Sequence, residues 1–363
     1  MAALWRGWRW LGLGMALLAV PAMAGEGAAA PLALPLRAAT AEPVIAVLAL
    51  NEGTETTDFL VPYAVLRRAG VGTVEAVAPR AGPVVLMPAL EVAGVRDMAA
   101  FDAAHPGGAD IVVVPAMHVD DDPAILAWLK AQADKGAVVV GICAGARVLG
   151  RAGLLDGRRF AGHWYDRSTL LRRHPGATHA PDRRYVVDGP VVTTTGVSAS
   201  LPVSLALVEA LAGTARARAL ADALGVASWG AEHRSGLFGL DAGQVWTLAV
   251  NTVLFWRHER IAIAVEEGVD DIALAFSADA WSRTYRSSAV AVNARDSQVR
   301  LRSGLVLQVS APLRGRALDV LLDEGPVGCQ LDRSLQAIGG RYGEGTRRWV
   351  ATQLEYEGGG CGR

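Results

Sequence analysis

Four short apolar runs fix what this chain can become: Val44–Leu50, Val74–Ala78, Asp110–Pro115 with Ile111–Val114 at its centre, and Ala137–Ile142. Each is too short for a buried helix and too uniformly apolar for a strand with one wet face, so each reads as a strand covered on both sides. Helix-spaced segments fall between them. Asp58–Arg68 aligns Phe59, Tyr63 and Leu66 on one face and is stopped by Gly70 and Gly72. Pro123–Lys135 turns Ile125, Leu126 and Leu129 inward, Ala146–Ala152 closes at Gly153, and Pro202–Leu211 adds a further helix. Residues 83–92 alternate as a hairpin or arm, and Asp188-Gly189 joins residues 184–187 to 191–194 in a second hairpin. Strands alternating with helices predict an α/β fold, a parallel-sheet sandwich of flavodoxin-like type, over residues 43–213.

The ends of the chain read differently. Arg6 and Arg9 precede an apolar run from Trp10 to Val20, and Ala22-Met23-Ala24 supplies a small-residue cleavage site. Residues 1–24 are therefore expected to be a signal peptide, which places the mature protein in a periplasm or outside the cell. The alternative is an uncleaved N-terminal anchor. Residues 25–42, rich in Ala and Pro, read as a linker. No later run is long and apolar enough to span a membrane. A net charge of −1 leaves no electrostatic footprint for nucleic acid. In an oxidising compartment Cys329 and Cys361 are the natural disulfide pair, which leaves Cys143 as an odd thiol.

Residues 214–260 read as a helical connector with a Gly-rich break from Trp229 to Gly243. Beyond it the sequence repeats itself faintly. Ile45-Ala46-Val47-Leu48 matches Ile261-Ala262-Ile263-Ala264, and Val74–Ala78 matches Ala289–Asn293. Val84, Leu86, Leu90 and Val92 match Val299, Leu301, Leu305 and Leu307. Trp128 and Gln132 match Trp349 and Gln353, at offsets drifting from 215 to 221. Residues 261–357 are thus expected to be a smaller α/β region, a degenerate half-copy that ends before any equivalent of Cys143.

Chemistry concentrates at Gly141-Ile142-Cys143-Ala144-Gly145-Ala146. A strand that runs into a cysteine and then a helix is a nucleophile elbow. It presents the sulfur at the C-terminal edge of the sheet, where open α/β folds place their sites. The helix N-terminus behind it favours a thiolate, and backbone donors near the turn can serve an oxyanion. The alternative reading is a buried structural cysteine.

These residues, with Ala152-Gly153-Leu154-Leu155-Asp156-Gly157-Arg158-Arg159 and His163-Trp164, resemble the DJ-1/PfpI superfamily, whose fold is that of class I glutamine amidotransferases. The nearest branch holds isonitrile hydratase and the ligand-binding domains of AraC-type regulators. Asp58-Phe59-Leu60-Val61-Pro62-Tyr63 is similar to that branch's D-x-x-G-P segment, with Val61 in place of Gly; Pro181–Tyr185 and Thr195–Ala199 also fit. The resemblance covers residues 43–213. It implies Cys143 as nucleophile and Asp58 as the acidic partner that holds or moves a proton. From sequence alone Asp58 is equally an N-cap. The resemblance further implies oxyanion donors at the backbone of Ala116 and Ala144, and a pocket bounded by Met117, His163 and Trp164; His118, next along the loop, lies either near the sulfur as a pocket residue or, as loop histidines more often do, at the surface. Ala144 stands where PfpI-type proteases carry His and isonitrile hydratase carries a hydroxyl residue. Ala116-Met117 replaces the usual Gly-Gly.

No cofactor motif or Gly-rich phosphate loop is found, and His174, His179, His233 and His258 lack metal-ligand spacing. Asp120-Asp121-Asp122 reads as a solvated loop capping the helix at Pro123. Three functions follow: a cysteine-dependent hydrolase, hydratase or lyase for a small electrophile; a ligand-binding or redox-sensing protein without DNA-binding motifs; and a C-terminal region that shapes or occludes the site. Homodimers are common among such domains, and the added half-copy is a candidate to cover that surface.

Overall fold

A computed structural model describes residues 32–37, 42–313, 317–322 and 325–359. The expected signal peptide lies outside them, as do most of the linker and Cys361. Residues 32–37 are not free linker. Arg37 reaches Asp110 at 3.0 Å and the carbonyls of Gly107 and Ala109.

Strands β1 (Val44–Leu48), β2 (Thr54–Glu55), β3 (Thr73–Ala78), β4 (Gly82–Met87), β5 (Glu91–Asp97), β6 (Ile111–Val114) and β7 (Val138–Gly141) come first. Between them run α1 (Thr56–Ala69), α2 (Met98–Ala104) and α3 (Pro123–Asp134). Then come α4 (Gly145–Arg151), β8 (Arg159–Phe160), α5 (Arg167–Arg173), β9 (Thr178–His179), β10 (Tyr185–Asp188), β11 (Val191–Thr194), α6 (Ser200–Ala212), α7 (Thr214–Leu224) and α8 (Ala242–Val253). The rest is β12 (Glu259–Ala264), α9 (Asp271–Ser282), β13 (Ser287–Val292), β14 (Gln298–Arg300), β15 (Val306–Gln308), β16 (Ala317–Val320), α10 (Gln330–Tyr342) and α11 (Glu344–Leu354).

The large sheet runs β10-β11-β7-β6-β1-β3-β5-β15-β14, mostly parallel at its centre. Alternate residues of its core strands feed two apolar layers, because successive side chains leave a strand on opposite faces. Ile45, Val47, Ile111, Val113, Val138 and Val140 share one layer with α1, α6, α7 and α9. Ala46, Leu48, Val112, Val114 and Val139 share the other with α2, α3 and α4. Helix α1 is buried along nearly its whole length, wedged between the sheet, α6 and α9, which is why it is apolar all round.

A smaller α/β region follows. Its own sheet runs β13-β12-β16, all parallel. Strands β14 and β15 leave that sheet and extend the large one: Leu307 pairs antiparallel with Val92. Within the hairpins, Val84 pairs with Val92 in β4–β5, and Val299 with Leu307 in β14–β15. Helix α6 passes through Gly213 (φ 83°, ψ 163°) directly into α7; α10 passes through Gly343 (φ 89°, ψ 162°) directly into α11.

The matching of Trp128 and Gln132 with Trp349 and Gln353 does not hold. The first pair lies on α3, between core strands, and both side chains donate to Asp102. The second pair lies on α11, packed against α10 and α8. The chain after β15 does not follow the order of the chain after β5, so the offset drift marks a different element rather than a loop insertion. The acidic run also differs from expectation. Asp122 caps α3, accepting from the amides of Ala124 and Ile125. Asp120, by contrast, is buried and gathers Arg147, Arg151 and Arg173.

Candidate functional site

Cys143 sits where β7 ends and α4 begins. Its φ is +53°, a left-handed conformation that costs a non-glycine residue about 1–3 kcal/mol. The neighbourhood holds it there. The Ile142 amide donates to the Val114 carbonyl at 2.9 Å, and the Cys143 amide to Thr194 Oγ1 at 3.0 Å. Gly145 must be glycine: a Cβ there would stand 2.1 Å from the Val114 oxygen. The elbow is real geometry, and it points the cysteine into the layer of α1, α6 and α9, leaving it 6 % exposed.

Asp58 is fully buried. It is not the N-cap of α1. Glu55 caps that helix, accepting the Asp58 amide at 2.5 Å, and frees the Asp58 side chain to turn inward. Its Oδ1 accepts the Ser200 hydroxyl at 3.1 Å and its Oδ2 the Ala116 amide at 3.3 Å. Burial pushes the Asp58 carboxyl up to about 7, against the opposing pull of those two bonds and of Arg283. Glu55 too is pushed well above its ordinary range, by burial and by the charges of Asp279 and Asp58.

Arg283, just beyond α9, binds this acid cluster from the C-terminal region. Its Nη2 meets Glu55 Oε1 at 2.7 Å and its Nε meets Asp279 Oδ1 at 2.5 Å. Thr57 donates to the other Asp279 oxygen at 3.0 Å. Burial pulls the Arg283 guanidinium down, but the charges of Asp279 and Glu55 and the hydrogen bond to Asp279 outweigh it and hold Arg283 charged, well above its ordinary range.

The thiolate expectation is corrected by this setting. Burial pushes the Cys143 thiol up, the charges of Asp58, Glu55 and Asp166 push it the same way, and Arg283 opposes them. A two-turn helix N-terminus does not outweigh a dry site facing three acids.

The other expected residues divide. Ala116 offers its amide to Asp58 rather than to an oxyanion. Ala144 is the N-cap residue of α4, its backbone beside the sulfur-bearing turn. His163 and Trp164 turn to the chain's end: His163 Nε2 lies 3.0 Å from the Gln353 carbonyl, and Trp164 Nε1 donates to the Thr352 carbonyl at 2.8 Å. Met117 packs into the opposite apolar layer from Cys143, and His118 is exposed, its amide donating to Gly53. These two do not line the cysteine, because the loop they occupy is pinned outward by Glu55 and Gly53.

Sequence reasoning missed Glu55, Ser200, Thr194 and Arg283. Only Glu55, three residues before Asp58, carried a local signal. It also missed a cavity of about 250 Å³ lined by Arg184, Ser198, Leu201, His233, Phe276 and Glu355. Cys329 is disulfide-bonded and Cys143 is free. Among the described residues no helix is long and apolar enough to cross a membrane, and no group of three His, Cys, Asp or Glu is placed to hold a metal.

The DJ-1/PfpI family model matches residues 44–210. A Parkinson disease protein 7 homolog from Danio rerio is 29% identical over 182 residues, 46% of this chain and 89% of that protein. Isonitrile hydratase from Pseudomonas putida is 37% identical over 108 residues, 30% of this chain and 44% of the enzyme. The HTH-type transcriptional regulator CdhR of Pseudomonas aeruginosa is 35% identical over 86 residues, 24% of this chain and 25% of the regulator. Among solved structures, Drosophila melanogaster DJ-1beta aligns at a TM-score of 0.46 and 22% identity, covering 50% of this chain and 97% of that one. Over residues 44–210, this chain is similar to the DJ-1/PfpI family.

Proposed function

We propose that Cys143 and Asp58 form a nucleophile and proton-carrier pair acting on a small electrophile, in a hydrolase, hydratase or lyase reaction. The observation that carries this is Asp58 itself. It is fully buried, pinned by Ser200 and the Ala116 amide, poised at about 7, and its charge weighs most on the cysteine. A carboxyl poised near neutral pH exchanges protons in both directions. The thiol proton passes to Asp58 as the sulfur bonds the electrophilic carbon. Asp58 then returns that proton to the substrate atom that received the electron pair. Water completes the reaction by displacing the thiol. The partial match to isonitrile hydratase supports an addition of this kind.

The test is the pH profile of Cys143 alkylation by a small neutral reagent. Wild type is expected to show an inflection near neutrality, where Asp58 ionises, and Asp58→Asn to lack it. A single inflection above the ordinary cysteine range in both proteins overturns the pair.

A second reading, a non-catalytic ligand-binding or redox-sensing protein, is favoured by the cavity at Glu355 and His233, which Cys143 does not line. Ligand binding that survives Cys143→Ser would select it.

We further propose export to a periplasm or beyond, supported by the basic-then-apolar N-terminus and the disulfide-bonded Cys329. Residues 261–357 are proposed to be a truncated second copy of the first domain. The equivalent pairs Val84–Val92 and Val299–Leu307 support this, as do the twin helix pairs α6–α7 and α10–α11. On this reading the copy does not stop before the elbow; it skips it.

A further inference from the structure

We infer that the second copy occupies the place of a partner subunit, and that its Arg283 is a positioning residue for the acid pair at Cys143. The inference rests on the proposed repeat and on the proposed role of Asp58. Its support is a reciprocal geometry. From residue 55 to residue 92, adding 215 to a position in the first copy gives its counterpart in the second: Glu55 becomes Asp270, and Arg68 becomes Arg283. Glu55 caps α1 and Asp270 caps α9. Arg283 binds Glu55 at 2.7 Å, and Arg68 binds Asp270 at 2.8 Å. Each helix thus offers its terminal arginine to the capping acid of the other, and the two lie head to tail. The sheet obeys the same exchange: Val92 pairs with Leu307, its own counterpart. A contact in which residue i meets j' and j meets i' is the signature of a two-fold interface, here closed within one chain.

The symmetry is broken where chemistry begins. At the Asp270 end no cysteine follows, because the second copy lacks the elbow. Around Asp270 and Asp271 the bonded groups are Arg68, Arg302 and Ser303. At the Glu55 end, Arg283 faces Glu55, Asp279 and, through them, Asp58 and Cys143. The second copy has kept the half of the interface that the first copy's site needs. One molecule then holds one complete site, and no partner is required to finish it.

The two ion pairs supply their own control. The thiolate absorbance of Cys143 is titrated, with Cys143→Ser as the blank, in wild type, Arg283→Gln, Arg283→Lys and Arg68→Gln. Removing the Arg283 charge is expected to raise the thiol midpoint by about one pH unit, with about tenfold less thiolate at neutral pH. Lys is expected to restore part of the shift. Arg68→Gln is expected to lower the melting temperature as much as Arg283→Gln while leaving the midpoint in place. If Arg283→Gln does not fold, the Lys variant carries the measurement with a smaller rise. Light scattering of the native chain is expected to give a monomer at micromolar concentration. A stable dimer, an unmoved midpoint in the Arg283 variants, or an equal shift in Arg68→Gln each overturns the inference. An Asp58→Asn effect without an Arg283 effect would sink this inference alone, whereas loss of the Asp58 effect would sink the proton-carrier reading beneath it.

Discussion

Thr194 Oγ1 stands 3.0 Å from the Cys143 amide and donates its own hydrogen to the Thr195 carbonyl at 3.0 Å. One hydroxyl at the end of β11 therefore locks the left-handed turn at the end of β7. Thr194→Val keeps the shape and removes the acceptor, so a buried amide loses its partner. The expected cost is about 1–3 kcal/mol, read from the urea midpoint. Thr194→Ser is expected to recover most of it.

Asp58 makes the fold's stability depend on pH in a defined direction. Its carboxyl rises from 3.8 to about 7 on folding. Below the unfolded value both states are protonated and its contribution is complete. As pH climbs towards the folded value, the unfolded chain ionises first, and the contribution is lost, amounting to about 4 kcal/mol by neutrality. Asp58→Asn cannot ionise. Its unfolding free energy is expected to fall less than that of wild type between about pH 4 and 7, whereas parallel curves would contradict the raised carboxyl.

At Gly145 the backbone of α4 approaches the end of β6 so closely that a methyl group would overlap the Val114 oxygen. Gly145→Ala is expected to cost about 3 kcal/mol or more in thermal or chemical unfolding. It should also displace Cys143, which slows alkylation in whatever fraction remains folded. A variant with wild-type stability and reactivity would mean the elbow is looser than this packing implies.

Export has a direct readout. The mature chain is expected to begin at Gly25, after Ala22-Met23-Ala24, when the periplasmic fraction is sequenced from its N-terminus. An intact Met1 in the cytoplasm would contradict it.

The strands and the elbow were legible because they are local. Val138–Gly141 is apolar on every position, as a strand buried on both faces must be, and the small residues after Cys143 leave a tight turn as the only fit. The start of α1 was less so. Asp is the better N-cap by preference, yet Glu55 takes that place because its other oxygen is held by Arg283. That partner is 228 positions away, and no window along the chain contains both. The Ala116 amide turns to a buried acid that only packing against α6 reveals. The matching of Trp349 to Trp128 failed for the same reason: a shared spacing of Trp and Gln says helix, and says nothing about which helix.

The pairing of Val92 with Leu307 has a consequence in time. The two residues are 215 positions apart, so a ribosome working at about 5–20 residues per second needs roughly ten to forty seconds to travel between them. For that interval β5 is a finished strand with an open edge, and the acids at Glu55 and Asp58 have no guanidinium beside them. An open edge is a template for any strand that drifts past. Whatever escorts the nascent chain must keep the edge covered until the C-terminal hairpin emerges to claim it.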